Sequence, residues 1–274
     1  MRNVTIGLVQ LESRVGDKDN NLKESERLVR TAAAQGAQIV CLPELFVTGY
    51  NLNTFGEGLY DLAEGLSGPA ITAMRALAKE LGVYLIAPIA LQAYTTRPLN
   101  NAAVVIDDQG EVQGTYSKNH LFGGECGYFT RTGEYPVFDT KYGRIGIMIC
   151  ADNNYPEPAR ILALKGAEII FMPAAWRVQE SDIWPLLIRC HALENNVYVA
   201  AANQYANMGD LFLFGHSMIA GPRGQVIEEL TQDGGGLIVR TVDLDEIYAC
   251  RANMPSLKDR HPEDYGVLCA PVSQ

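Results

Sequence analysis

GAQIVCLPE at residues 36–44 and GAEIIFMPA at residues 166–174 are two versions of one pattern. Gly, Ala, Ile and Pro recur at the same places in both segments. Each copy follows an alanine-rich helical stretch, ERLVRTAAAQ before the first and EPARILALK before the second. Upstream, VTIGLVQ resembles RIGIMIC, with Gly7 matching Gly146. The repetition indicates that the chain consists of two related halves.

The two halves also agree further along the chain. VYLIAP at 83–88 resembles VYVAAA at 197–202, and each half ends in two strands joined by a tight Gly-containing turn. Each half therefore has the order strand, helix, strand, helix, strand and strand–turn–strand. The strands IVCLP and IIFMP show little alternation, which is typical of strands covered on both faces. These patterns predict an α/β fold of two packed sheets with a helical layer on each outer side.

Composition limits the classes of function. The chain has 274 residues, of which 47% are apolar and 20% charged, and no stretch resembles a linker, so we expect one domain over 1–274. The net charge of −10 argues against binding to nucleic acid, because phosphates require clustered Lys and Arg. No signal peptide is visible, and no apolar run approaches the ~20 residues that span a bilayer. A cytoplasmic location without membrane attachment is therefore the expectation.

Three chemically different side chains follow strand-like runs: Glu44 after QIVCLP, Lys118 after EVQGTYS and Cys150 after RIGIMI. Singly, they suggest a loop carboxylate, a surface lysine and a core cysteine. Their surroundings favour function, because the apolar segment CLPELF removes solvent from Glu44, which suits a general base. The polar turn after Cys150 leads into a helix predicted to begin near Pro156 or Glu157, whose free N–H groups favour a thiolate. Together the three predict covalent acyl chemistry.

Other types of site find little support. The six cysteines lack CxxC spacing, and the four histidines lack HxxxH or HExxH spacing, so neither a metal nor a disulfide framework is predicted. Phosphate-binding motifs such as GxGxxG are absent, and GGG at 234–236 precedes a strand, so no cofactor is expected. A Cys150–His120 pair remains the competing assignment of the nucleophile's base. A non-catalytic module that binds a metabolite on the same fold also stays open.

The segments LPELFVTGY, YSKNHLFGGE and ICADNNYPEPARILALKGAEIIFMPAAW resemble the three signature segments of the nitrilase superfamily of carbon–nitrogen hydrolases. The resemblance covers nearly the whole chain. It implies an α-β-β-α sandwich with internal pseudo-twofold symmetry, and a homodimer. It also implies that Glu44 is the base, Lys118 the cation and Cys150 the nucleophile, with Glu125 as a second glutamate beside the lysine. The N–H of Ala151 is the implied partner of Lys118 in holding the oxyanion.

Departures from the family pattern bear on the substrate. True nitrilases typically carry Cys-Trp-Glu, whereas this chain has Cys-Ala-Asp at 150–152, which disfavours nitriles. Relatives that act on carboxylate-bearing substrates often carry an Arg where this chain has Asn-Asn-Tyr at 153–155. The sequence therefore predicts an amidase for a small neutral or amine-bearing carboxamide, with an N-carbamoyl amine hydrolase or a nitrilase as alternatives. Besides the groups named above, the predicted pocket residues are Tyr50, Asn154, Trp176 and Tyr205.

Overall fold

The two halves of the chain form two six-stranded sheets. The structure is a computed structural model that describes residues 1–93 and 98–271. Strands and helices are numbered in chain order, and the first sheet consists of β1 (Asn3–Gln10), β2 (Ile39–Cys41), β3 (Tyr84–Leu91), β4 (Asn100–Ile106), β5 (Val112–Ser117) and β14 (Gly236–Asp243). The second sheet consists of β6 (Val137–Thr140), β7 (Gly143–Ile147), β8 (Ile169–Ala174), β9 (Tyr198–Asn203), β12 (Met218–Ala220) and β13 (Val226–Glu229). A separate hairpin is formed by β10 (Tyr205–Asn207) and β11 (Phe212–Phe214).

The two sheets share one topology. Strands β1, β2 and β3 run parallel and continue into antiparallel β4 and β5, just as β7, β8 and β9 continue into β12 and β13. An antiparallel strand closes the opposite edge of each sheet, β14 beside β1 and β6 beside β7. Both outer hairpins even carry a register shift at the corresponding place, between Val105 and Ile106 and between Ile219 and Ala220. The repetition seen in the sequence is therefore a repetition of whole sheets.

The described residues form the helices α1 (Lys18–Ala34), α2 (Leu52–Phe55), α3 (Leu59–Leu62), α4 (Pro69–Leu81), α5 (Pro156–Leu164), α6 (Ile183–Asn195) and α7 (Asp245–Asn253). Of these, α1, α4, α5 and α6 cover the outer faces of the two sheets. In β2, Val40 packs with residues of α1 and α4, whereas its neighbours Ile39 and Cys41 face the core that both sheets share. Helices α5 and α6 pack on the second sheet. This arrangement confirms the predicted four-layer α-β-β-α sandwich and explains why the strands are apolar on both faces.

The matching glycines Gly7 and Gly146 allow a helical layer to approach each sheet closely. A Cβ atom at Gly146 would lie 3.0 Å from Leu162 of α5. At Gly7 it would lie 3.1 Å from Ala37 and 3.3 Å from Ala32 of α1. Both distances are shorter than ordinary carbon contacts, so a larger residue would push the helical layer outwards. The repeated Gly is therefore a requirement of helix–sheet packing.

The α-helices of the described residues are between 4 and 17 residues long. None of them is both long enough and apolar enough to cross a membrane. The short α2 and α3 lie in the connection between β2 and α4, next to the end of β2. Together with the β10–β11 hairpin, this connection supplies the walls of the site described next.

Candidate active site

Residues that follow strands of both sheets meet at one place. Glu44 lies three residues beyond the end of β2 and Lys118 comes directly after β5, both in the first sheet. Cys150 lies three residues beyond β7 of the second sheet. Glu44 and Lys118 are fully buried, and Cys150 is 8% exposed. The three residues predicted from the sequence are therefore contributed by the two halves jointly.

The carboxylate of Glu44 is held by hydrogen bonds from both sheets. Its Oε1 accepts hydrogen bonds from Lys118 Nζ at 2.9 Å and from Asn101 Nδ2 at 2.6 Å. Its Oε2 accepts one from the Ala175 N–H at 2.9 Å, and the side-chain amide of Gln204 donates to the Glu44 carbonyl oxygen. Charge-assisted hydrogen bonds of this kind are the strong ones in proteins. They fix the carboxylate in one orientation.

The backbone is strained at the two turns that present the acid and the thiol. Leu45, directly after Glu44, has a φ of 48°, and Cys150 has a φ of 45°. Such left-handed conformations are unfavourable for residues other than glycine and cost on the order of 1–3 kcal/mol. Cys150 also opens a short 3₁₀ turn over Cys150–Asn154 that leads into α5. The strain therefore occurs where the chain presents its reactive groups.

Lys118 lies between two buried carboxylates. Its Nζ is 2.7 Å from Glu125 Oε1, in addition to its contact with Glu44. The hydroxyl of Tyr50 donates to the same Glu125 oxygen at 2.8 Å, and the Phe122 N–H donates to the other at 2.8 Å. Glu125 is fully buried. The sequence-predicted second glutamate therefore lies beside the lysine.

The surroundings determine the protonation states of the resting site. Burial would lower the pKa of Lys118, but the charges of Glu44, Cys150 and Glu125 outweigh it and raise this pKa well above its ordinary value. Burial raises the pKa of the Cys150 thiol, the charge of Glu44 raises it further, and Lys118 lowers it only in part. Burial also raises the pKa of Glu125. The lysine is thus an ammonium at neutral pH, and the cysteine is a neutral thiol that needs a base during attack.

Cys150 opens onto a cavity of about 440 Å³, a volume suited to a small molecule. Four of the predicted pocket residues, Tyr50, Ala151, Asn154 and Trp176, line this cavity. Ala151 is the second residue of the 3₁₀ turn, and the first N–H groups of a helical turn have no acceptor within it. Other lining residues come from the connection after β2, the segment after Lys118, the segment after β8 and the turn before β11, including Asn51, Asn53, Phe122, Arg177, Glu180 and Asp210.

The placement of Tyr205 in this pocket was wrong. Tyr205 begins β10, and it lines a second cavity together with Glu12, Ser13 and Arg14. Its ring packs edge-on against Phe212 of β11, with the ring centroids 5.6 Å apart. The chain turns into the β10–β11 hairpin directly after β9, and this turn directs Tyr205 away from the cavity of Cys150.

His120 contacts an acid rather than completing a Cys–His pair. Its Nδ1 is 2.8 Å from Asp152 Oδ1, and its ring stacks on Tyr155 with the centroids 3.9 Å apart. Asp152 is fully buried and accepts further hydrogen bonds from the His120 N–H at 3.0 Å, the Ile149 N–H at 2.8 Å and the Tyr116 hydroxyl at 2.6 Å. Asp152 thus fastens the turn that carries Cys150 to the end of β5.

We expect Asp152→Asn to weaken both the fold and the reaction. The His120 and Ile149 N–H groups and the Tyr116 hydroxyl face the carboxylate as donors, so the NH₂ of an asparagine would point at one of them. Leaving buried donors unpaired predicts a loss of about 2–3 kcal/mol in the free energy of unfolding. We also expect kcat to fall about tenfold, because a misplaced reactive group is costly even at small displacements. Denaturant unfolding and steady-state kinetics measure the two effects, and a variant with unchanged kcat would contradict the assigned role.

Several groups around the site were not predicted from the sequence. Asn101 is a fully buried amide in β4, directly before five apolar residues, and such a polar residue is a signal that sequence analysis can use. Ala175 contributes through its backbone N–H, which donates to Glu44 and cannot be recognised from the type of residue. Within the described residues, the side chains whose atoms could jointly hold a metal ion are His261, Glu263 and Asp264, which are exposed and do not line the cavity.

Comparisons with known proteins identify the family to which the chain belongs. The model of the carbon-nitrogen hydrolase family matches residues 5–252. A probable nitrilase of Schizosaccharomyces pombe is 34% identical over 97% of this chain and 98% of its own, and an N-carbamoylputrescine amidase of Solanum lycopersicum is 32% identical over 97% and 95%. A solved amidase from Nesterenkonia sp. AN1 superposes on this chain with a TM-score of 0.82 at 26% identity, covering 96% of this chain and 95% of that one. That structure is of a Glu-to-Gln variant, in which the acetamide moiety of fluoroacetamide is added covalently at the active-site cysteine. The chain therefore belongs to the carbon-nitrogen hydrolase family, within the nitrilase superfamily.

Proposed function

We propose that the protein is an amidase that hydrolyses a small neutral or amine-bearing carboxamide to the acid and ammonia. The observation that carries the proposal is the buried contact of Lys118 with Glu44 and Glu125 beside the Cys150 thiol, at the floor of a cavity. A binding module gains nothing from two carboxylates and an ammonium buried around a thiol, because each ion loses solvation. In an acyl-transfer site, the same groups supply base, charge stabilisation and nucleophile.

The first half-reaction forms a thioester on Cys150. Glu44 takes the thiol proton as the sulfur attacks the amide carbon, which matches a resting thiol whose pKa is raised. Lys118 and the Ala151 N–H stabilise the oxyanion that forms. Glu44 then gives its proton to the departing nitrogen, and ammonia leaves. Each transfer uses a residue that lies at the site in the resting structure.

The second half-reaction releases the acid. Water attacks the thioester carbon while Glu44 accepts one of its protons, and the thiolate of Cys150 leaves and takes that proton back. Glu125 positions the water, since its carboxyl is anchored by Lys118 and Tyr50 and cannot move away. The covalent adduct on the cysteine of the related amidase supports a reaction through sulfur.

The second candidate is an N-carbamoyl amine hydrolase. The relative from Solanum lycopersicum carries the name of such an enzyme and matches nearly the whole of this chain. A carbamoyl group presents the same H₂N–C(=O) unit to the thiol, so the same steps release ammonia and leave a carbamoyl thioester. Water then yields a carbamate, which loses carbon dioxide to give the amine.

Substrate profiling tests the proposal. Ammonia release from small carboxamides, amino acid amides, N-carbamoyl amines and nitriles is measured side by side with the purified protein. We expect the highest kcat/KM for a carboxamide, and turnover of nitriles faster than of amides would contradict the proposal. If N-carbamoyl amines are the fastest substrates, the second candidate replaces the first.

A further inference from the structure

Among the described residues that line the cavity above Cys150, the one cationic side chain is Arg177, and it is already paired. Arg177 Nε donates to Glu180 Oε2 at 2.6 Å, and a second guanidinium nitrogen donates to the other oxygen of Glu180. The guanidinium also lies 4.9 Å above the ring of Phe122. A two-bond pair of this geometry is specific to arginine and satisfies both charges. Binding a substrate carboxylate through Arg177 would leave Glu180 without its partner.

Apart from Arg177 and Glu180, Asp210 is the charged side chain among the described lining residues. It lies in the turn between β10 and β11, lines the cavity and is exposed to solvent. Within residues 1–93 and 98–271, its carboxylate takes part in neither an ion pair nor a side-chain hydrogen bond. Arg177 and Glu180 cancel, so the lining of the cavity has a net charge of about −1 at neutral pH. Below it, Lys118 faces two carboxylates, and thus the floor adds no positive charge.

We propose that Asp210 is a specificity-determining residue that binds an ammonium group at the far end of the substrate. The substrate class is then an ω-amino carboxamide or an N-carbamoyl diamine, whose amide or ureido end reaches Cys150. This inference rests on the proposed function and narrows it.

The rest of the lining suits such a molecule. The rings of Tyr50, Phe122 and Trp176 can contact the methylene chain, and the side chain of Leu211 adds a further apolar surface. A cavity of about 440 Å³ holds a chain of several methylenes between its two polar ends. An ammonium near Asp210 would stay partly hydrated because this carboxylate is exposed, so its desolvation cost is small. The expected selectivity is therefore moderate and sensitive to salt.

Two pairs of substrates that differ only in charge test the proposal. One pair is 5-aminopentanamide and hexanamide, and the other is N-(4-aminobutyl)urea and N-pentylurea. In each pair, the selectivity ratio is kcat/KM of the charged compound divided by kcat/KM of the uncharged one. We expect Asp210→Asn to lower this ratio about tenfold, mainly by raising KM for the charged compound. Asp61→Asn, which removes an exposed carboxylate that does not line the cavity, should leave the ratio unchanged. In 0.5 M salt the ratio of the wild type should approach that of Asp210→Asn.

A binding measurement separates this inference from the proposed function. In a Cys150→Ala background, titration calorimetry should show that Asp210→Asn weakens binding of the two ammonium compounds about tenfold more than that of their uncharged counterparts. If Asp210→Asn changes the affinity for both members of each pair equally, the assignment of Asp210 is wrong, regardless of which compounds are hydrolysed. If none of the four compounds is hydrolysed, but Asp210→Asn still weakens binding of the ammonium compounds alone, the proposed function is contradicted. Asp210 then remains the ammonium site.

Discussion

Replacing Cys150 with alanine should abolish hydrolysis, with a fall in kcat/KM of about 10⁴-fold or more. Removal of an enzymatic nucleophile has effects of this size because no neighbouring group forms the covalent intermediate in its place. The thiol is small and lies at the edge of a cavity, so the fold should persist. Substrate binding should persist as well, since the cavity lining remains. Steady-state ammonia release, with circular dichroism as a check on folding, measures the effect.

Mass spectrometry of the intact protein distinguishes a chemical role of Cys150 from a structural one. With a slowly hydrolysed amide, the wild type should gain the mass of one acyl group, and Cys150→Ala should gain none. Cys190→Ala, which removes an exposed cysteine of α6, should form the adduct as the wild type does. An acyl group on another residue, or an active Cys150→Ala variant, would contradict the mechanism. His120→Asn should retain most activity, because the ring of His120 bonds to Asp152.

Short-range patterns predicted most of the fold. The Gly-Ala-x-Ile segments with their helices mark β2 and β8, and the Pro after Cys150 marks the start of α5 at Pro156. These signals are local, since they depend on periodicity and on the residues that begin and end helices. The pairing of β14 with β1 is different, because it joins residues more than 200 positions apart in sequence. A strand pattern shows that β14 exists but contains no information about which sheet edge it occupies.

The candidate site was predictable where side-chain chemistry identified it. An acid, an ammonium and a thiol just after three strand-like runs indicate chemistry, since burying them costs free energy that packing alone does not repay. The Ala175 N–H, which binds Glu44, could not be found in this way, because every residue but proline carries the same group. Tyr205 was misplaced for a related reason. Its direction depends on the β10–β11 hairpin, whose path after β9 is set by tertiary contacts.

Residues that follow strands of both sheets form the site, and this has a physical consequence. Glu44 and Lys118 belong to the first sheet, and Cys150 and Ala175 belong to the second. The Ala175 N–H contacts Glu44 and also lowers the pKa of the Cys150 thiol, so one backbone group touches both the base and the nucleophile. The relative position of base and thiol is therefore set by the packing of the two sheets, whose shared core is rigid. Such preorganisation is what acyl transfer requires.

The second large effect is expected for Glu44→Gln, which should lower kcat by about 10³-fold. An amide cannot take the thiol proton, and the thiol does not ionise by itself near neutral pH because its pKa is raised. Glu44 serves in both half-reactions, so both barriers rise. Alkylation of Cys150 by chloroacetamide at pH 7 should slow as well, and this rate depends only on the thiol and its base. If both kcat and the alkylation rate fall, the impaired step is the removal of the proton from the Cys150 thiol.

A control substitution, Glu168→Gln, separates the loss of the catalytic base from the loss of a buried charge. Glu168 is 6% exposed, pairs with Arg2 at 2.6 Å and accepts a hydrogen bond from Tyr248 at 3.0 Å. Glu168→Gln should cost about 1–3 kcal/mol of the free energy of unfolding and leave kcat within about twofold. Glu44→Gln should cost a comparable free energy of unfolding, because its NH₂ group would face one of the donors around the Glu44 carboxylate, but unlike Glu168→Gln it should also lower kcat about 10³-fold. A Glu44→Gln protein that alkylates and turns over at wild-type rates would show that another group removes the proton from Cys150.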